Sequence, residues 1–265
     1  MAVITLTSDM GITDYYVGTV KGAILAQAPN ATIVDISHHI RPFDIHHAAY
    51  VLRSSWQHFP MGSIHMIGVR PQIGPDSPHV VVHYMSHYFI SADNGVFSLL
   101  FDEQPEDIIE INLHPSGDWS FPMRGTFATV AAHLARGGKM DLLGRRTNAI
   151  KTVNVLQPFY EDNILKASVV HTDHYGNVFT NIRKDFFDSA RAGRSFKMLA
   201  KKASFGISKI SNDFGEVIRG ECLAMFASNG YLMIAMNESV TNHGGGAQGL
   251  LGLKHSDTIF IEFYD

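Results

Sequence analysis

The chain of 265 residues exceeds the usual size of one domain, and its 45% hydrophobic and 17% charged residues suit a large buried core and not disorder. A formal net charge of −4 leaves no electrostatic footprint for nucleic acid, and no basic amphipathic stretch points to a membrane surface. The lone Cys222 excludes an internal disulfide framework and fits a reducing compartment; with no apolar run near ~20 residues, the expectation is a soluble cytoplasmic protein.

Val3 to Leu6 predicts a short first strand, not a signal segment, and it ends in the polar turn Thr7-Ser8-Asp9-Met10-Gly11. A helix is predicted from about Tyr15, with Asp14 as N-cap, Val17, Val20 and Ile24 at helical spacing, and Pro29-Asn30 at its end. Thr32 to Ile36 supplies a second strand, and the resulting βαβ unit favours a parallel sheet. Pro42 and Asp44 start a second helix whose face carries Ile45, Ala48, Ala49, Leu52 and Trp56; Pro60 and Gly62 end it. Strands follow at Ile64 to Val69, Val80 to Val82 and Tyr88 to Ser91, then a helix from Phe127 to Leu134 stopped by Gly137-Gly138.

Past Leu156 the texture changes. Ala167 to His171, Val178 to Ile182, Leu223 to Phe226, Tyr231 to Ala235 and Thr258 to Phe263 are short β-rich runs separated by turn residues. The predicted fold is an α/β domain with a mainly parallel sheet over residues 1–155, followed by a smaller all-β domain over 156–265. No internal repeat is evident, and Gly244-Gly245-Gly246 reads as a short flexible turn.

The 15 histidines need an account. His58, His65, His114, His133 and His255 stand alone and read as core or surface imidazoles. The adjacent pairs His38-His39 and His46-His47 point to different faces of any regular element. His79, His83 and His87 repeat at the spacing of helical zinc ligands, but Val80-Val81-Val82 predicts a strand, where residues four apart lie roughly 13 Å from each other. No metal site and no cofactor are expected.

Two turns carry candidate chemistry. Asp9 sits where a parallel strand ends, the place at which open α/β sheets bind ligands, and Asp14 follows five residues on. Carboxylates there can accept both hydroxyls of a ribose or pair with an ammonium; ordinary turn and N-cap aspartates fit the spacing as well. His171-Thr172-Asp173-His174-Tyr175-Gly176-Asn177-Val178-Phe179-Thr180-Asn181 offers aromatics to stack on a planar base and amides to read its edge, although a hairpin turn with Asx caps has the same composition.

Taken in order, a set of segments resembles a known family. Thr7-Ser8-Asp9-Met10-Gly11, Tyr16-Val17-Gly18, Lys21-Gly22, Asp35-Ile36-Ser37-His38, Pro42-Phe43-Asp44-Ile45, Ala48-Ala49, Asp93-Asn94-Gly95, Gly176-Asn177-Val178-Phe179-Thr180-Asn181 and Gly230-Tyr231-Leu232 follow the succession seen in the S-adenosylmethionine hydroxide adenosyltransferases and their halogenating relatives, over essentially the whole chain. The resemblance implies a barrel-like C-terminal domain, a homotrimer, and a site shared between the N-domain of one subunit and the C-domain of its neighbour. It implies S-adenosylmethionine or adenosine as ligand, with no nucleic acid or membrane partner. Asp9 then looks like the ribose-diol acceptor, Asp14 and Asp173 like partners of the methionine ammonium, and Phe43 like the aromatic against the ribose. Asn177 resembles the residue reading adenine, among Tyr175 and Phe179, and Ser228 falls where the methionine carboxylate is held. Asn229 stands where the fluorinase has an arginine, so carboxylate binding is expected to be weaker or rearranged.

The implied reaction is displacement at the ribose C5′ by water, giving adenosine and methionine. Sulfonium is already a good leaving group, so placement and a prepared nucleophile are what the protein supplies. Here the resemblance departs from the hydrolytic pattern. Val69-Arg70-Pro71-Gln72-Ile73-Gly74 carries Arg70 in place of the family aspartate, about Ser77 replaces its arginine, and Pro122 replaces its histidine; Arg124 is kept, with Gly125 in place of its aspartate partner. Arg70 beside a cationic substrate costs ~3 kcal/mol at ~5 Å and an effective dielectric near 20. Arg70 therefore holds the ligand's carboxylate, recruits an anionic nucleophile, marks a protein that binds S-adenosylmethionine or adenosine without hydrolysing it, or is a solvent-facing loop residue. Asp76 with His65, His79 or His83 is a further arrangement able in principle to activate water.

Overall fold

The computed structural model describes residues 2–113, 120–199, 206–238 and 245–265; His114 and Gly244 lie outside them. The chain divides into two compact units, residues 1–154 and 155–265.

The first unit is built on β1 (Val3–Ser8), α1 (Tyr16–Gln27), β2 (Thr32–Ser37), α2 (Ile45–Arg53), β3 (Ile64–Gly68), β4 (His79–Tyr84), β5 (His87–Ala92), α3 (Val96–Leu100), β6 (Asp107–Ile111), α4 (Ala128–Ala135) and β7 (Gly144–Thr147). One sheet runs β2-β1-β3-β5-β4-β6-β7. The first four of these strands are mutually parallel, whereas β4 and β7 run against their neighbours. Both faces are covered, which is why the strands read as continuous apolar runs. Ile4, Leu6, Met66 and Val81 meet α1 and α4 on one face; Ile67, Val69, Val80, Val82 and Phe89 meet α2 and α3 on the other.

Asp14 does not cap α1. Tyr15 occupies the N-cap position already in helical geometry (φ −71, ψ −11), so Asp14 lies one residue too early to reach the first free N–H groups. Asp44 does cap α2, accepting from the His47 N–H at 2.9 Å. The adjacent histidines split as the geometry requires: His38 and His47 are buried, His39 and His46 exposed.

The second unit contains β8 (Phe159–Glu161), β9 (Ile164–Thr172), β10 (Val178–Arg183), α5 (Lys184–Arg191), β11 (Ser195–Leu199), β12 (Cys222–Phe226), β13 (Tyr231–Met236), α6 (Gly246–Leu251) and β14 (Thr258–Tyr264). Its antiparallel half-barrel runs β11-β14-β9-β10-β13-β12, with β8 also on β9. β14 alternates strictly, putting Ile259, Ile261 and Phe263 into the core. Two short helices accompany the strands. α5 hides in the sequence because only Phe187 and Ala190 of its eight residues are buried.

Candidate functional site

Parallel pairing brings the carboxyl ends of β1, β2, β3 and β5 to one edge of the sheet, with Ser8 directly opposite Gly68. Three candidate segments leave from there: the Asp9 turn, the Arg70 loop and Asp93-Asn94-Gly95. This is the edge at which open α/β sheets bind ligands.

The Asp9 turn is fastened to the loop before α2. One Asp9 oxygen, Oδ2, accepts from the Phe43 N–H at 2.8 Å; Oδ1 has no partner among the described residues. Phe43 is held at φ 62, a left-handed conformation unusual for a bulky residue. It follows Pro42 in a turn closed by Asp44 N–H to Arg41 O at 3.0 Å, where glycine is the ordinary occupant. The residue is 69% exposed.

Behind that turn lies a chain of polar contacts. Ser8 Oγ is 2.7 Å from His38 Nδ1, and His38 Nε2 is 3.1 Å from Asp35 Oδ1; Lys21 binds the other Asp35 oxygen at 2.6 Å. Partial burial pushes the Asp35 carboxyl up, but Lys21 and His38 outweigh it and hold the group below its usual range. Gly11 N–H to His38 O (2.8 Å) and Ile40 N–H to Ser8 O (3.2 Å) stitch the β1 and β2 ends together. Ser8 and His38 are buried, so they position the Asp9 turn and do not present a nucleophile.

A cavity of about 740 Å³ opens beside this turn, lined among others by Phe43, Asp44, His46, Arg70, Ser77 and Lys151. Arg70, like Phe43, has a left-handed backbone (φ 49). Asn94 Nδ2 donates to the carbonyls of Val69 and Arg70, both at 3.0 Å, and fixes that loop. Asp93 is buried and takes the Lys151 N–H on both oxygens, at 3.0 and 2.9 Å. Burial raises the Asp93 carboxyl above its usual range, against the lowering by the Lys151 N–H and charge. Asp44, also on the lining, has its oxygens engaged by His47 N–H and Arg41 Nε.

In the second unit, the turn between β9 and β10 gathers the other candidates. Asp173 Oδ1 accepts from the N–H groups of Tyr175 and Asn177, both at 2.9 Å, and Oδ2 accepts from Asn177 Nδ2 at 2.8 Å. Asn177 is 6% exposed, and its Oδ1 is buried without a hydrogen-bond partner among the described residues. Such an acceptor costs free energy unless a ligand or water meets it. Tyr175 is exposed and Phe179 buried. Ser228 and Asn229 occupy the β12–β13 turn, where Asn229 Oδ1 accepts from the Tyr231 N–H at 3.3 Å.

Other candidates stand apart within their units. Asp14 is exposed on the β1–α1 loop, off the cavity lining. Arg124 lies on a π-helical turn over the Phe121 ring at 5.8 Å, and is not on the lining either. Nor do Asp76, His65, His79 and His83 assemble a base. His65 is buried against Thr5 and His87, His83 Nδ1 meets Glu106 at 2.6 Å, His79 Nε2 meets the Pro71 carbonyl at 2.8 Å, and the Asp76 carbonyl accepts from Lys151. Lys151 has no place among the sequence candidates, whereas His46 and Asn94 enter there only through the pair His46-His47 and the segment Asp93-Asn94-Gly95, not as site residues. Asn94 carried a signal in Asp93-Asn94-Gly95 at a strand end; Lys151, 58 residues from Asp93, carried none.

The first unit is thus an open α/β domain with a cavity at the carboxyl ends of its parallel strands, the place where such folds bind ligands. Comparison with known proteins makes the assignment specific. Residues 4–144 match the N-terminal domain of S-adenosylmethionine hydroxide adenosyltransferases and residues 167–260 match the C-terminal domain. The chain belongs to that family. An (R)-S-adenosyl-L-methionine hydrolase of Methanocaldococcus jannaschii is 33% identical over 192 residues, covering 69% of this chain and 68% of the relative. A fluorinase of Nocardia brasiliensis is 27% identical over 277 residues, covering 89% and 90%. The fold agrees: a crystal structure of an uncharacterized conserved protein from Thermotoga maritima superposes with a TM-score of 0.86 at 29% identity, over 98% of this chain and 99% of the other.

Proposed function

We propose that the protein binds S-adenosylmethionine and transfers its adenosyl group to water. The water oxygen bonds to C5′ while the C5′–S bond breaks, methionine leaves as a neutral thioether, adenosine is formed, and one proton is released. The observation that supports this reading most strongly is the match of both domains to one family whose relatives include S-adenosylmethionine hydrolases. The free Asp9 Oδ1 suits a ribose hydroxyl, exposed Phe43 offers a face to the sugar, and the Asn177 acceptor suits a purine amino group. Asp14, Asp173, Tyr175, Phe179, Ser228 and Asn229 complete the ligand contacts in this reading, with Arg124 in a supporting place. Within the cavity His46 is the group left to take the proton, since both Asp44 oxygens are engaged.

The site is read as shared between subunits of a homotrimer. The apolar side chains of Ile12, Tyr15 and Phe43, exposed in the single chain, are in keeping with a covered surface there. Incubating purified protein at high concentration with S-adenosylmethionine and measuring adenosine and methionine tests the reaction; no product above the uncatalysed background defeats it. Light scattering on the same sample tests the trimer.

A further inference from the structure

We infer that the cavity of the first unit binds an oxyanion, a carboxylate or a phosphate-type group, held by Arg70 and Lys151. Both residues line the cavity, and neither has a carboxylate within ion-pair distance among the described residues. Several other arginines of the unit do: Arg41 meets Asp44 at 2.9 Å, Arg53 meets Asp102, and Arg145 meets Glu110 at 2.8 Å. The local carboxylates are already spoken for. Asp44 serves Arg41 and the α2 cap, and Asp93 serves the Lys151 backbone.

Both cations are also fixed at their roots. Asn94 pins the Arg70 loop in a left-handed conformation that a side chain of this size rarely adopts, and such strain persists where surrounding structure imposes it. The Lys151 N–H is clamped by Asp93, while among the described residues its Nζ reaches only the Asp76 carbonyl, at 3.3 Å. Ser77 and Gln72 add neutral donors to the same lining. A guanidinium fork matches the paired oxygens of a carboxylate or phosphate, and the cavity is far larger than a monatomic ion. Occupied this way, the cavity would repel a sulfonium less, so anion and S-adenosylmethionine should bind with positive linkage. That linkage rests on the proposed function; anion binding itself does not.

The experiment follows the Arg70 side-chain N–H signal by nuclear magnetic resonance in the whole chain, the signal being assigned by its loss in Arg70→Lys. Sodium acetate, sodium phosphate and sodium chloride are titrated separately at constant ionic strength. A saturable shift with acetate or phosphate, weakened at least about tenfold in Lys151→Gln, is expected; the tighter of the two names the source. Equal, unsaturable shifts with all three salts, saturation by chloride alone, or an unchanged affinity in Lys151→Gln overturns the inference. Adenosine, which is neutral, is titrated into the same samples. Adenosine binding without anion binding defeats this inference alone, whereas anion binding without adenosine or S-adenosylmethionine binding upholds it and defeats the nucleoside reading.

Discussion

The Asp9 carboxylate holds the backbone of Phe43, 34 residues away, in a left-handed conformation through a 2.8 Å hydrogen bond. Asp9 thus has two separable duties: one oxygen fixes the loop that leads into α2, and the other is left for a ligand. Asp9→Ala removes both, and the expected result is a loss of nucleoside affinity of about tenfold or more. Asp9→Asn keeps one carbonyl acceptor for Phe43 but replaces the ligand-facing oxygen with an NH2 donor and removes the charge, so it should retain thermal stability while still binding ribose less well. Calorimetry with adenosine, alongside melting curves, separates the two; equal stability loss in both variants would contradict the division.

Ser8 is the companion of that arrangement. Its hydroxyl satisfies His38 Nδ1 in a site where both residues are almost inaccessible to water. Ser8→Ala leaves a buried imidazole nitrogen without its partner, which costs about 1–3 kcal/mol. Urea denaturation should register that loss. Since the Asp9 turn is anchored through the same contacts, adenosine affinity should fall as well. Full affinity in a destabilised variant would show that the Ser8–His38 contact supports the fold only.

The sequence made the sheet-edge aspartate and the β9–β10 turn legible because each lies on one short stretch of chain. Strand ends, Asx turns and the α2 cap are local properties, and Asp44 behaves as its spacing predicted. Lys151 was illegible for the opposite reason. It reaches the cavity only because the buried Asp93 carboxylate captures its backbone N–H across 58 residues, and nothing in residue type or spacing announces that. Arg70 is conspicuous as a departure from the family pattern, but its left-handed backbone and its lack of a carboxylate partner among the described residues emerge only from the structure. The Asp14 cap failed by a single residue, the usual precision of such boundaries.

The β9–β10 turn should fail through its glycine. Gly176 sits at φ 76, and a Cβ there would lie 2.8 Å from the Gly245 carbonyl oxygen and 3.1 Å from the Gly246 Cα, both backbone atoms with little room to move. Gly176→Ala is therefore expected to destabilise by about 1–3 kcal/mol and to shift Asn177 from its place. Asp173→Ala removes the three hydrogen bonds that the Asp173 carboxylate accepts in the turn and leaves its backbone bonds to Gly176 and Asn177, so it should weaken adenosine binding with a smaller loss of stability. Melting temperatures and adenosine titrations of both variants check the order of the effects.

Acid should unfold the first unit through His65. This imidazole has no exposed surface, donates to or accepts from Thr5 Oγ1 at 2.7 Å and His87 Nδ1 at 3.1 Å, and is flanked by Trp56, Phe59 and Phe89. Burial, with the neighbouring His87 adding to it, pushes its pKa down to about 3, and burial lowers His87 in the same direction. In the unfolded chain a histidine titrates near ~6.5. Below that pH the unfolded state binds a proton that the folded state refuses, so stability is complete above ~6.5 and declines as pH falls toward 3. The slope for one such group approaches about 1.4 kcal/mol per pH unit, or roughly 2 kcal/mol between pH 6.5 and 5. His65→Leu removes this titration but leaves Thr5 and His87 without their partner, so it should be less stable at neutral pH yet lose less on acidification. Urea midpoints of both proteins at pH 7.5 and 5 measure the difference, and parallel losses in the two would place the acid sensitivity elsewhere.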